Sequence, residues 1–459
     1  MYSDISFAID NRLAIGLLSV LVKAVRYKSI IKLFAPMAAA SLLVTLTAPL
    51  INAGIVRASG DYEAALAAYS VARNLIMMLA AFTFMVPNAF LVLVADASSY
   101  HKFRNFLVAA GCLALGIGAV VIFSPLESVI LQSLLGLTPP LANKTANALK
   151  ILLLLPPLAI WRSFSQAILI KKGKTHYWLW GAAAGFLVLA LSIALSRAFS
   201  FLPGAMYGAL VLCISTAADA AVLYWGVRIV AGERYGKAGS EQAWPSLSYT
   251  QIVSFFLPLL VTTWIMMVCP TVINAALART PNPETALAVF AVANSVIFAF
   301  ESPVVALRNT TLAFPPTRAN LVRLRGFCLM TGLAVTTALA LVSFTPLINF
   351  MLSDLIGVDG EVHRLAVPAV RVMSAILLII SWRQFHYAVL MRADRTRTIA
   401  LATLARIAVL LVGLFVGMRY FLGSPASTVA GAFYTLGFFT ETAIAYSIAR
   451  RFFFGKLEK

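Results

Sequence analysis

The chain has 459 residues, 61% of them hydrophobic and only 12% charged, with a mean hydropathy of +0.90, where soluble domains carry about a quarter charged residues. That much apolar side chain excludes a water-soluble fold and makes a lipid bilayer the solvent of most of the chain. The net charge of +19 lies in small clusters between hydrophobic segments, which is a topology signal and not a nucleic-acid-binding patch.

Residues 5–28 are apolar but carry Asp10, Arg12, Lys23, Arg26 and Lys28. They read as an amphipathic helix lying in the membrane interface, and the charges do not precede the apolar run as a signal peptide requires. Twelve stretches of helix-spanning length, about 20 residues each, follow at 30–53, 64–94, 105–124, 145–170, 177–198, 204–230, 250–275, 285–313, 326–346, 365–391, 398–420 and 425–449. The expected fold is an all-α polytopic membrane protein with an interfacial segment (1–29), a six-helix lobe (30–230), a polar cytoplasmic linker (231–249), a second six-helix lobe (250–449) and a basic tail (450–459).

Loop charges orient this arrangement. From Lys23 onward, the side holding both ends and the even-to-odd loops has 22 basic residues, against six on the other side (Arg57, Lys144, Arg197, Arg279, Arg364 and Arg419). The positive-inside rule then predicts an even helix number with both termini cytoplasmic, in a plasma or inner membrane.

The chain also repeats itself. EAALAAYSVARNLI (63–76) answers ETALAVFAVANSVI (284–297), and IWRSFSQAILIKKGKT answers SWRQFHYAVLMRADRT at the same offset of 221 residues. Six helices per repeat means both lobes enter from the same side. Their pseudo-twofold axis must therefore run along the membrane normal, with the path between them.

Seven cations fall inside the spans: Arg73, Lys150, Arg162, Arg308, Arg371, Arg383 and Arg406. Only Asp219, Glu301 and Glu441 oppose them. A charge at bilayer depth costs at least about 2.5–3.5 kcal/mol, so it faces a cavity or a partner. Even complete pairing leaves positive charge over, which attracts anions, and the arginine fork suits phosphate and carboxylate oxygens. Lys150 and Arg371 are equivalent in the repeat, as are Arg162 and Arg383, and Asp219 lies near the equivalent of Glu441.

The candidate substrate-binding residues are Arg308, Arg371, Arg383, Arg162, Lys150, Arg73, Asn52 and Asn274. The candidate coupling or charge-partner residues are Glu301, Asp219, Glu441 and His386. Each has a plainer reading beside it. Arg406 either snorkels to the cytoplasmic interface or joins the interior charges. Arg162 and Arg383 each follow a tryptophan and could be interfacial anchors, and Lys150 could reach the outer surface. Glu301 and Arg308, two turns apart, could form a structural ion pair. His386 is a helix-packing residue or a group titrating near neutrality, and Asn52 and Asn274 cap helices or touch substrate.

No GxxxxGK[ST] loop appears, and Cys112, Cys213, Cys269 and Cys328 lie in apolar runs without metal or disulfide spacing. The reading calls for no enzyme activity, no cofactor and no metal.

The sequence resembles the progressive ankylosis protein (ANKH) family, which shares a superfamily with the MATE exporters and oligosaccharide-lipid flippases. The likeness runs over roughly 30–455. It is sharpest at LIGVDGEVHRLAVPAVRVMSAI (355–376), WRQFHYAVLM (382–391) and LARIAVLLVGLFV (404–416), with INAGIV (51–56), YGALVLC (207–213) and FTETAIA (439–445) also alike. Arg371, Arg383, Arg406, Glu441, Asn52 and Asn274 fall on like residues, Arg308 matches an arginine of the eighth helix, and a family arginine of the sixth helix is Leu212 here. The resemblance implies a MATE-like pair of bundles exporting small polyanions such as pyrophosphate, citrate or ATP through the cleft between them. A coupling ion, either H+ or Na+, is a separate expectation. A flippase for a lipid-linked pyrophosphate sugar is the second reading. A MATE-type cation or drug antiporter is the third, since such a site needs carboxylates that the first helix lacks.

Overall fold

The computed structural model describes residues 25–58, 61–196, 202–231, 247–356, 358–420 and 425–455. The interfacial segment up to residue 24, most of the linker and the end of the basic tail lie outside the described residues.

The described residues are helical throughout, without strands. The first helix runs Tyr27–Thr45 and resumes as Thr47–Ala58. The second is Tyr62–Leu79 followed by Val86–Leu93, joined by a 3-10 stretch at Ala81–Met85 and bent by 56°. The third is Ala97–Ile122, the fifth His176–Ala194 and the sixth Gly204–Ala231. In the second lobe the seventh to ninth are Tyr249–Leu277, Pro283–Ala313 and Arg318–Phe344. The eleventh is Thr396–Tyr420 and the twelfth Ala426–Gly455.

Two further spans read as continuous are each broken once. The fourth is Pro139–Leu152 then Leu155–Lys171, and the tenth is Gly360–Met373 then Ile376–Arg392. In the fourth, Pro156 and Pro157 supply no N–H to the preceding turn, so the ladder stops there. Short helical turns that pass into π-helix precede both spans, at Leu126–Leu134 and Leu347–Leu355, and these matching irregularities carry the 221-residue repeat into the backbone.

Among the described residues, ten helices are long and apolar enough to cross a membrane, and the bent second makes eleven. The twelfth, at 30 residues, spans about 45 Å. Its hydropathy is diluted by glycines, threonines and Glu441, which is fully buried in the lobe.

The fold is two six-helix bundles. Within the first, the sixth helix packs on the fourth and fifth; within the second, the twelfth packs on the tenth and eleventh. The main contacts between bundles are the first helix against the eighth, the kink of the second against the seventh and Val86–Leu93 of the second against the eighth, with smaller ones of the third against the seventh and the first against the ninth. One apolar core runs from Ile30, Leu33, Phe90 and Phe103 of the first lobe into Phe256, Phe290 and Leu324 of the second. A separate core, with Ile51, Ile55, Tyr69, Leu149 and Tyr207, belongs to the first lobe alone. The lobes are thus joined at the end where the odd-numbered helices begin, the basic end, and part toward the other.

A charged cluster in the second lobe

Helical spacing puts polar residues of four helices of the second lobe on facing sides. Arg383 and Tyr387 stand one turn apart on the tenth helix, Thr403 and Arg406 three residues apart on the eleventh, and Tyr434, Phe438 and Glu441 on one stripe of the twelfth. Glu301 and Arg308 come from the eighth.

Glu441 is the hub. Its Oε2 accepts from Arg383 Nη1 at 2.5 Å and from Arg406 Nη1 at 3.2 Å. Its Oε1 accepts from the Tyr387 hydroxyl at 2.5 Å and from Thr403 Oγ1 at 2.6 Å. The three charged groups are 3%, 2% and 0% exposed for Arg383, Arg406 and Glu441, so only this saturation makes their burial tolerable. Both guanidinium groups also lie over the Phe438 ring, at 4.7 and 4.5 Å, and Arg406 Nη2 reaches Cys269 Sγ of the seventh helix at 3.5 Å. The Nε donors of Arg383 and Arg406 are buried without an acceptor among the described residues.

Glu301 and Arg308 complete the cluster differently. Both are half-buried, and neither has an ion pair with a described residue. The structural ion pair between them does not form. Glu301 lies within electrostatic reach of Arg383, Arg406 and Glu441, and Arg308 of Arg383, Tyr387 and Glu441. Three arginines therefore share one region with two carboxylates, and the unpaired member is Arg308.

The first lobe holds a smaller counterpart. Arg162 Nε donates to Asp219 Oδ2 at 2.6 Å, which repeats the Arg383–Glu441 bridge between the equivalent helices. Asp219 packs so closely on the fifth helix that a Cβ at Gly181 would come 2.3 Å from its Oδ1. Arg73, half-buried on the second helix, has no acid partner among the described residues.

Other candidates are placed apart. Arg371 is exposed, on the outer piece of the broken tenth span, where its Nε donates to the Ser343 carbonyl at 2.8 Å and its guanidinium lies over Phe344. It caps an orphan carbonyl at the C-terminus of the ninth helix and does not join Arg383. Lys150 is likewise exposed, with Asn147 Oδ1 at 3.3 Å. Asn52 and Asn274 are exposed toward the outer ends of the first and seventh helices. His386 is buried, its Nδ1 2.8 Å from the Trp382 carbonyl, and packs edge-on against Trp382 and Tyr446; its surroundings are those of a packing residue. Arg406, for which snorkelling was one expectation, is instead buried on Glu441, because the eleventh helix turns it inward toward the hub.

Sequence reasoning singled out neither Tyr387, Thr403, Tyr434 and Phe438 nor Cys269 as a neighbour of the charges. The available signal was spacing: each of the four polar or aromatic partners lies three, four or seven residues from a charged group already singled out.

Comparison with known proteins follows the same lines. The family model of the progressive ankylosis protein (ANKH) matches residues 19–196, in keeping with the resemblance read from the sequence. No curated protein matches the chain. Among solved structures, a MOP-superfamily transporter from Pyrococcus furiosus, whose description notes a binding pocket of reversed polarity and suggests a different function, is 16% identical, with a TM-score of 0.73 over 94% of this chain and 96% of that one. An outward-facing multidrug-resistance MATE transporter of the same superfamily is 16% identical, with a TM-score of 0.75 over 94% and 97%. A MATE protein in complex with MaL6 gives 0.74 at 16% identity over the same shares. The fold is that of MATE-type transporters.

Proposed function

We propose, for a chain whose residues 19–196 match the progressive ankylosis family and whose fold is that of a MOP-superfamily transporter, that it moves small polyvalent anions by alternating access. Family and fold are those of membrane transporters, not enzymes. The observation that carries the anion reading is Arg308. It is a half-buried cation without an ion-pair partner among the described residues, set beside two arginines that share one saturated carboxylate. In a low-dielectric interior such an excess is a standing attraction for anions, and planar forks favour phosphate and carboxylate over halide. Pyrophosphate, citrate and nucleoside triphosphates are the classes to which the arrangement is suited.

With the basic end taken as cytoplasmic, the shared core closes the cytoplasmic side and the parted lobes open outward. The linker and both termini then lie in the cytoplasm of a plasma or inner-membrane protein. Arg162, Arg371, Lys150, Arg73, Asn52 and Asn274 have weaker claims on substrate than Arg308 and Arg383. Arg162 is committed to Asp219 in the first lobe, Arg371 to the Ser343 carbonyl, and Lys150 is exposed beside Asn147, whereas Arg383, though paired with Glu441, stands in the same cluster as Arg308.

The test is uptake into proteoliposomes of pyrophosphate, citrate and ATP beside a cationic dye and a lipid-linked pyrophosphate sugar. Saturable, mutually competing fluxes of the three anions support the reading. Dye exchange or lipid scrambling without anion flux would replace it with the antiporter or the flippase.

A further inference from the structure

We infer that Glu301 takes up a proton together with the anion, so that the second lobe loads the two as a pair; this rests on the anion-transport reading above. The three intramembrane acids are not equivalent. Glu441 accepts four hydrogen bonds, two of them from arginines, and has no reason to take a proton. Asp219 is bound to Arg162 and wedged on Gly181. Glu301 alone of the three has neither ion pair nor hydrogen bond among the described residues, and it stays partly open.

Its surroundings give the sign of the linkage. The tenth helix faces it with Arg383 and Tyr387, the eleventh with Arg406, the twelfth with Glu441 and Tyr434, and the seventh brings Cys269 beside Arg406. Its own helix carries Arg308 two turns on. The fourth helix contributes Arg162, already paired. The first helix has Lys28 and Lys32, and the ninth Arg318, Arg323 and Arg325, all near the basic end; His386 packs against Trp382 and Tyr446.

Ionised, Glu301 opposes one of the three arginines and repels an approaching polyanion. Protonated from bulk water, it leaves three guanidinium groups against one carboxylate. The anion then binds more tightly, and by reciprocity the bound anion raises the carboxyl's affinity for the proton. Proton and anion bind together and do not compete.

The experiment measures citrate and pyrophosphate binding by calorimetry from pH 6 to 8.5, on the full-length protein and on Glu301→Gln. Comparing the two proteins at each pH removes the titration of the ligand itself. The expected result is a wild-type Kd that grows relative to that of Glu301→Gln, approaching about tenfold per pH unit once the free carboxyl is ionised. Measured in a weak buffer, wild type also takes up about one more proton per anion than the variant does. An infrared band of a protonated carboxyl appearing in wild type on addition of pyrophosphate, which has no carboxyl of its own, makes the same check if the variant does not fold. A pH-independent Kd ratio, equal proton uptake, or no such band overturns the inference and leaves the anion reading standing. Absence of binding of either anion at every pH overturns both.

Discussion

Phe34 of the first helix meets Phe327 of the ninth edge-on, with ring centroids 5.2 Å apart, and the internal repeat maps this contact onto another. Offsets of 222 between the first and seventh helices and 221 between the third and ninth turn the pair into Phe256 and Phe106, which lie 5.3 Å apart. Ile30 and Pro36 answer Ile252 and Pro258 in the same register. Two symmetry-related aromatic contacts thus close the basic end. The Val25 N–H donates to Asn320 Oδ1 at 2.9 Å, and Arg323 Nη1 donates to the Val25 carbonyl at 3.0 Å.

The first prediction concerns this seal. Each aromatic pair contributes about 0.5–1.5 kcal/mol beyond its buried area. Phe34→Ala with Phe256→Ala should therefore shift the equilibrium toward opening at the basic end by about 1–3 kcal/mol, roughly 5- to 150-fold. Spin labels placed on the two lobes at that end should report a longer distance population in the double variant. An unchanged distribution would show that the rings pack without gating.

The second concerns the hub. Removing one partner of a buried ion pair strands the other, at a cost of about 3–5 kcal/mol. Glu441→Ala, which strands Arg383 and Arg406 together, should lower the thermal unfolding midpoint more than Arg308→Ala, which breaks no ion pair. Equal midpoints would mean that the hub is not structural.

Much of the architecture was legible because its signals are cumulative. Helix length, loop charge and the 221-residue repeat each run over many residues, and all require the same even-numbered, two-lobed arrangement. The breaks at Leu79–Ala81 and Ser374–Ala375 were not legible, since no proline or glycine sits within either junction and packing decides the bend. At the site, sequence marked which positions carry charge but not which way they turn. Arg371 and Arg383 lie on one apparent span, yet the break between them sends Arg371 to the carbonyls of the ninth helix while Arg383 enters the lobe. Arg406 looked near enough to its helix end to snorkel, and only the twelfth helix, distant in sequence, supplies the carboxylate that keeps it inside.

A pH prediction comes from the loop before the third helix. Asp96 is the N-cap there, accepting from the Ser99 N–H at 2.7 Å and from the Ser99 hydroxyl at 2.6 Å. The Ser99 side-chain hydrogen bond, ahead of the backbone one, holds its carboxyl below the usual aspartate value. The folded pKa is depressed, so the stabilisation is fully present above the unfolded value near 3.8 and is lost as pH falls through the lowered one. Asp96→Ala should cost about 0.5–2 kcal/mol at neutral pH and nothing additional once the wild-type carboxyl is protonated. Thermal unfolding of both proteins from pH 7 down to pH 2 checks this, and a constant gap between them would mean that the cap's charge is irrelevant.

The last prediction separates binding from folding at Arg308. Arg383 and Arg406 anchor the hub, so their loss confuses the two; Arg308 has no ion pair to lose. If it contacts the anion through a charge-assisted hydrogen bond, Arg308→Ala should weaken binding by about 1.5–3 kcal/mol, roughly 10- to 150-fold in Kd. The unfolding midpoint should stay at or above that of wild type, because a half-buried cation without a partner is itself a cost. Arg308→Lys should recover only part of the affinity, keeping the charge but losing the planar fork. The recovery should be smaller for pyrophosphate and citrate, which offer paired oxygens, than for a singly charged carboxylate such as acetate. Anion binding and thermal unfolding measured side by side on the two variants decide the matter. Full affinity in a well-folded Arg308→Ala would leave the unpaired arginine without a ligand, and the anion reading without the residue that carries it.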